Sequence, residues 1–108
     1  MIFRRKLRYL LVEASESINL SIPATQTELK RELQAFMGHL PCFKANPQVA
    51  AQLSEKVFII SLNRGCERGV ALALAFTKHL ENKRVGFYTI RTSGTIRSVK
   101  EHFEKNYL

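Results

Sequence analysis

The chain contains no aspartate; all nine of its carboxylates are glutamates, at positions 13, 16, 28, 32, 55, 67, 81, 101 and 104. Two-metal phosphodiester chemistry needs clustered carboxylates that clamp the attacking and leaving oxygens. Within the expected helices, only Glu28/Glu32 and Glu101/Glu104 stand at helical spacing. The second pair lies among i,i+4 partners (Arg97 with Glu101, Lys100 with Glu104, Glu101 with Lys105) and reads as a solvated helix face. No protein-bound metal is expected. Cysteine is scarce too: Cys42 and Cys66 form no CxxC, and His39, His79 and His102 lack zinc-ligand spacing with either. Two ordinary thiols suit a reducing cytoplasm. No Cys-His or Ser-His-acid pattern places a nucleophile beside a base, so no catalytic residue is expected.

Long apolar runs are also missing. The longest, Val70 to Phe76, has seven residues, against the roughly 20 that a membrane helix needs. Behind the basic stretch Arg4, Arg5, Lys6 and Arg8, the apolar segment Tyr9 to Val12 ends at Glu13, too short for an export signal. A cytoplasmic protein with no membrane partner is the expectation. With 108 residues, 45% of them hydrophobic, residues 1–108 are expected to form one domain whose core needs no disulfide or metal.

Positive charge is in excess: 17 Lys and Arg against nine acids, a formal charge of +8. The excess is spread, +3 over residues 1–54 and +5 over residues 55–108, and it interleaves with a globular apolar pattern. That suits a folded domain with a polyanionic partner, because each phosphate neutralised by Lys or Arg releases counterions.

Residues 6–14 read as a strand with Leu7, Tyr9 and Leu11 on one face. Ser15 to Ala24 is a polar loop. Thr25-Gln26-Thr27-Glu28 then resembles a capping box, opening an amphipathic helix through Leu29, Leu33, Phe36, Met37 and Leu40, with Gly38 and Pro41 at its end. Gln48 to Leu53 is a weak strand. Lys56 to Asn63 is the clearest strand, apolar on both faces. A helix over 65–80 follows, apolar around most of its circumference and so expected to be buried. Glu81-Asn82-Lys83 is a tight turn and Arg84 to Arg91 the last strand, with Phe87 and Tyr88 on opposite faces. Thr92-Ser93-Gly94-Thr95 starts a C-terminal helix with Ile96, Val99, Phe103 and Tyr107 along its stripe. The order β-α-β-β-α-β plus a helix predicts an α+β, ferredoxin-like (RRM-like) sandwich. Its second sheet face must be covered by the last helix or by a partner.

Many single-stranded RNA binders of this architecture stack bases on aromatics of the central strands. Here the third strand offers only Phe58, and packing accounts more readily for Tyr9 and Tyr88. Structured RNA gripped through phosphates and shape fits better. In Arg91 to Lys100 a strand runs through a small polar loop into a helix. First-turn amides, the hydroxyls of Ser93 and Thr95, and Arg91 and Arg97 form either a phosphate cradle or a simple helix cap. Arg64 and Arg68 add a second basic cluster.

The segment TSGTIRSVKEHF, preceded by RVGFYTIR, resembles the closing strand and basic helix of archaeal ribonuclease P protein component 2, the small-subunit family shared with eukaryotic ribonuclease P and MRP. RRKLRYLLVE, FIISLNRG and GVALALAFTKHL are similar to that family's first strand, third strand and second helix. The resemblance implies a non-catalytic subunit of an endoribonuclease, supporting an RNA that removes the 5′ leader of precursor tRNA. The Mg²⁺ would then be used by the RNA, with no cofactor on the protein. It further implies pairing with component 3, a TIM-barrel-like protein, and with a second copy of this chain in a heterotetramer. RNA contacts are expected at Arg91, Ser93, Thr95, Arg97 and Lys100, then Arg64 and Arg68, then Arg4, Arg5, Lys6 and Arg8. Two other classes share the architecture. One is a structural RNA-binding adaptor of another ribonucleoprotein. The other is an acylphosphatase-like enzyme, which needs an Arg and Gly in the loop after the first strand; SESINLSIPAT has neither.

Overall fold

A computed structural model describes residues 6–80 and 83–107. The chain runs through β1 (Leu7–Ala14), α1 (Ile22–Met37), α2 (His39–Ala45), β2 (Gln48–Gln52), β3 (Val57–Asn63) and α3 (Glu67–Phe76). A short hairpin of β4 (His79–Leu80) and β5 (Lys83–Arg84) precedes β6 (Phe87–Ser93) and α4 (Ile96–Tyr107). The four long strands form one antiparallel sheet in the order β2-β3-β1-β6. This is the ferredoxin-like topology that the element order predicted.

Both faces of the central strands are apolar because both are buried. Leu10 and Val12 on β1 join Phe58, Ile60 and Leu62 on β3 beneath Leu29 and Leu33 of α1 and Val70 and Leu74 of α3. On the opposite face Leu11, Val57 and Ile59 pack with Val99 and Phe103 of α4, flanked by Tyr9, Ile90 and Ile96. The last helix therefore covers the second face, giving three layers. Its outer end is fastened by the Tyr107 hydroxyl, which donates to Glu13 Oε2 at 3.1 Å.

Helix α1 starts four residues earlier than the capping box implies. Ser21, extended at φ −62° and ψ 159°, is the N-cap, and its hydroxyl accepts from Ala24 N. Pro23 occupies the first turn, where no amide partner is needed. Thr25 is buried one turn inside and donates to Ser21 O at 3.0 Å, while Glu28 pairs with Arg31. Gly38 ends α1 at φ 90°, a left-handed value open to glycine. Pro41 does not stop the chain there, since it lies in the first turn of α2, the helix that Gly38 introduces. The weak strand β2 lies at the sheet edge, and Gln26 of α1 secures it. That side chain accepts from Val49 N and donates to Pro47 O.

The helix expected over 65–80 is shorter. Thr77 turns to an extended conformation, φ −74° and ψ 122°, with its hydroxyl bound to Ala73 O. The following residues form the β4–β5 hairpin because Leu80 and Val85 are drawn into the core. Lys83 thus lies in β5 rather than a turn, and Glu81 and Asn82 lie outside the described residues. The last strand starts at Phe87, not Arg84, and continues through Ser93. Nor is α3 buried all round: Val70, Ala73 and Leu74 face the core, while Leu72 and Phe76 are exposed. The Phe76 ring stacks on Phe36 with centroids 5.1 Å apart.

Phe103→Ala should destabilise the fold by about 3 kcal/mol, because it opens a cavity under the layer that covers the sheet; urea unfolding measures this. Burial, reinforced by the hydrogen bond to Glu13 and its charge, raises the Tyr107 pKa. The stability that this raised pKa contributes is complete below about pH 10, the unfolded value, and is lost as pH rises through the folded one. Tyr107→Phe should lack that component of the alkaline decline, measured by unfolding curves between pH 9 and 11.

Candidate nucleic-acid interface

Strand β1 begins and strands β3 and β6 end at the same edge of the molecule, so residues distant in sequence meet there. Leu7 is opposite Asn63, Arg8 opposite Leu62, and Tyr9 opposite Ser93. The Arg64 amide donates to Lys6 O at 2.8 Å, extending the β1–β3 ladder past both strand ends. Lys6, Arg8, Arg64 and Gly94 line one shallow concavity together with Leu7, and among the described residues no carboxylate lines it. At Gly94 the missing side chain leaves space beside a flexible cation. A Cβ there would fall on the Arg8 guanidinium, so the glycine lets that cation lie across the loop.

The loop is a helix cap in its hydrogen bonding. Ser93 Oγ accepts from Thr95 N at 3.3 Å, and Thr95 Oγ1 accepts from Ser98 N at 3.2 Å. Both oxygens are taken up by backbone amides, while their hydroxyl protons remain available to an acceptor. Arg91 does not line the concavity, and a β-bulge lies beside it in β6. The β1–β6 register shifts between Leu11 and Val12, so Thr89 pairs with Val12 and Arg91 with Leu11. Ile90 is the extra residue, and strict alternation resumes one position later. Arg91 consequently stands on the α4 face, with Nη1 3.5 Å from His102 Nδ1.

The remaining candidates do not converge on the concavity. Arg97, with its side chain 88% exposed, pairs with Glu101 at 3.0 Å. Lys100 and Arg68 are exposed on α4 and on the first turn of α3. Arg4 and Arg5 lie outside the described residues. Among the described residues no ion pair engages Lys6, Arg8, Arg64, Arg68, Arg91 or Lys100.

Beside the concavity lies a larger cavity of about 690 Å³ that sequence reasoning missed. Leu40, Phe43 and Cys66 form its apolar wall; Lys6, Lys44 and Arg64 supply cations, with Asn63 between them. Asn63 Nδ2 donates to Lys44 O at 2.7 Å and so ties α2 to the end of β3. The only available signal was the pairing of an aromatic with a lysine at Phe43-Lys44, invisible as a site without α2. Among the described residues no group of three or more His, Cys or Glu is placed to hold a metal ion, and no helix is long and apolar enough to cross a membrane. The loop after β1 is tied to other segments: Ser17 donates to Glu55, and Lys83 donates to Ser17 O.

A basic, three-layered ferredoxin-like domain with its cations gathered at one sheet end is thus the class that fold and site define. The model of the Rpp14/Pop5 family, named for RNase P, matches residues 8–104, and the chain belongs to that family. It is a family of RNase P/MRP protein subunits. Nine chains of solved structures match. One, from the cryo-EM structure of yeast ribonuclease MRP, has a TM-score of 0.63 at 10% identity, covering 98% of this chain and 97% of that one. At that identity the likeness concerns the fold. No curated protein sequence matches.

The two thiols differ sharply in access. Cys42 is 1% exposed, and burial raises its pKa despite the opposing pull of Lys30, whereas Cys66 is half-buried at the cavity wall. Since the thiolate is the reactive form, Ellman's reagent should titrate one thiol quickly in the native chain, with peptide mapping assigning it to Cys66. The second should react only on unfolding.

Proposed function

We propose that this chain is a protein subunit of ribonuclease P that binds and supports the catalytic RNA during removal of the 5′ leader from precursor tRNA, as the counterpart of archaeal component 2. The observation that carries the reading is the convergence of Lys6, Arg8 and Arg64 around the Gly94 loop, with no carboxylate among the lining residues, in a member of the Rpp14/Pop5 family. Such a surface grips phosphates, and its affinity comes from counterion release rather than base readout. Arg91, Ser93, Thr95, Arg97 and Lys100 extend the contact along β6 and α4, with Arg68 at its margin; Arg4 and Arg5, outside the described residues, are further RNA contacts in this reading. The chemistry belongs to the RNA and its Mg²⁺, in the cytoplasm.

The exposed strip of Phe36, Leu72 and Phe76 on α1 and α3 supports a protein partner on the side away from α4. We assign it to component 3, with a second copy of this chain completing a heterotetramer. An adaptor role in another ribonucleoprotein, ribonuclease MRP included, shares the same surface and is separated by the RNA that co-purifies. An acylphosphatase activity is disfavoured by the β1–α1 loop, which holds neither arginine nor glycine.

Reconstitution with the cognate RNA and component 3 tests the reading: adding this chain should raise precursor-tRNA cleavage at reduced Mg²⁺, and no gain would count against it. Arg8→Ala and Arg64→Ala should each weaken RNA binding and lower the slope of log K against log salt by about one. Arg97→Ala should lower it by less, since Glu101 already neutralises part of that charge. Salt-insensitive binding would exclude the phosphate grip.

A further inference from the structure

The cavity beside α2 is built differently from the phosphate-gripping concavity. Its wall carries a largely exposed aromatic ring: Phe43 is 72% exposed and Leu40 75%. Among the described residues the stacked ring pairs are Phe36 with Phe76 and Phe103 with Tyr107, so Phe43 has no ring partner. Lys6, Lys44 and Arg64 stand around it, and among the described residues no carboxylate lines the cavity. The nearest acid in sequence, Glu67, is committed to the backbone, with Oε1 accepting from Gly65 N at 2.6 Å. The volume of about 690 Å³ lies in the range of clefts that enclose small ligands, roughly 300–1,000 Å³. Asn63 and the α2 C-cap at Asn46 hold the wall in place.

A flat ring flanked by cations is the arrangement that takes a nucleobase with its phosphates, because every base has a face to stack and every linkage a charge to neutralise. We propose that this cavity accepts one unpaired base of single-stranded RNA, stacked on Phe43, with the flanking phosphates held by Lys6, Lys44 and Arg64. The inference rests on the reading of the chain as an RNA-binding subunit and adds to it a base-accepting site away from the sheet. The sheet face used by other domains of this architecture is closed by α4.

The chain has no tryptophan, so Phe43→Trp places a single indole at the site. The full-length variant is titrated at fixed low salt with a 12-residue oligouridylate and with an abasic oligomer of equal length and charge. The oligouridylate should quench the indole emission and the abasic oligomer should not. In the chain without the tryptophan, Phe43→Ala should weaken oligouridylate binding roughly tenfold while leaving abasic binding and the salt slope unchanged. Phe43 is exposed, so circular dichroism should show both variants folded. If the oligouridylate binds with a normal salt slope but the indole does not respond and Phe43→Ala has no effect, the base site is overturned and the phosphate grip stands. An indole that responds only to a protein subunit would overturn it in favour of a protein contact. Absence of binding to both oligomers and to the cognate RNA would remove the underlying RNA-binding reading itself.

Discussion

Burial of both faces of one four-stranded sheet is the constraint from which the rest of the molecule follows. Strands β1 and β3 alternate apolar with apolar, so a two-layer sandwich would leave Leu11, Val57 and Ile59 in water. Helix α4 removes that cost by laying Val99 and Phe103 over them. The same act closes the surface on which related architectures stack RNA bases. Cations meet instead at the sheet end, where Lys6, Arg8 and Arg64 line one concavity.

The sheet end is assembled by register rather than by local sequence. Lys6 and Arg64 are adjacent because β1 and β3 pair without a shift, and Arg64 continues the ladder. Arg91, opposite Leu11, stands instead on the α4 face, where one extra residue at Ile90 re-phases β6. A bulge of this kind re-aims side chains at modest cost and favours places where a strand must serve two faces. The Gly94 loop then admits the Arg8 guanidinium, so a tight strand-to-helix passage and a close approach of charge are one feature.

The helical layer opposite α4 has a different character. Helices α1 and α3 cover the sheet with Leu29, Leu33, Val70 and Leu74 but leave Phe36, Leu72 and Phe76 outside. A cationic sheet end on one side and an apolar strip on another divide the surface by the chemistry each can engage. Membership of the Rpp14/Pop5 family agrees with a protein that works between an RNA and other chains.

Hydrophobic periodicity is a local property, and what it governs was legible in the residues alone. The strands at 6–14 and 56–63, the helix through Leu29 and Leu33, the covering stripe of Val99 and Phe103, and hence the ferredoxin-like order, all follow from spacing. Charge excess and the absence of aspartate likewise narrowed the chemistry before any contact was known. Elements whose stability comes from elsewhere in the chain were not legible. Thr25 looked like a cap until Ser21 and Pro23 took the helix start. The hairpin at 79–84 replaces the end of a helix because Leu80 and Val85 find the core. Helix α2, and with it the cavity at Phe43, depends on Gly38 turning the chain and on Asn63 holding Lys44. Pattern within a segment decides which element forms, whereas only the folded chain decides which ends coincide, since pairing register, bulges and caps are settled by partners remote in sequence.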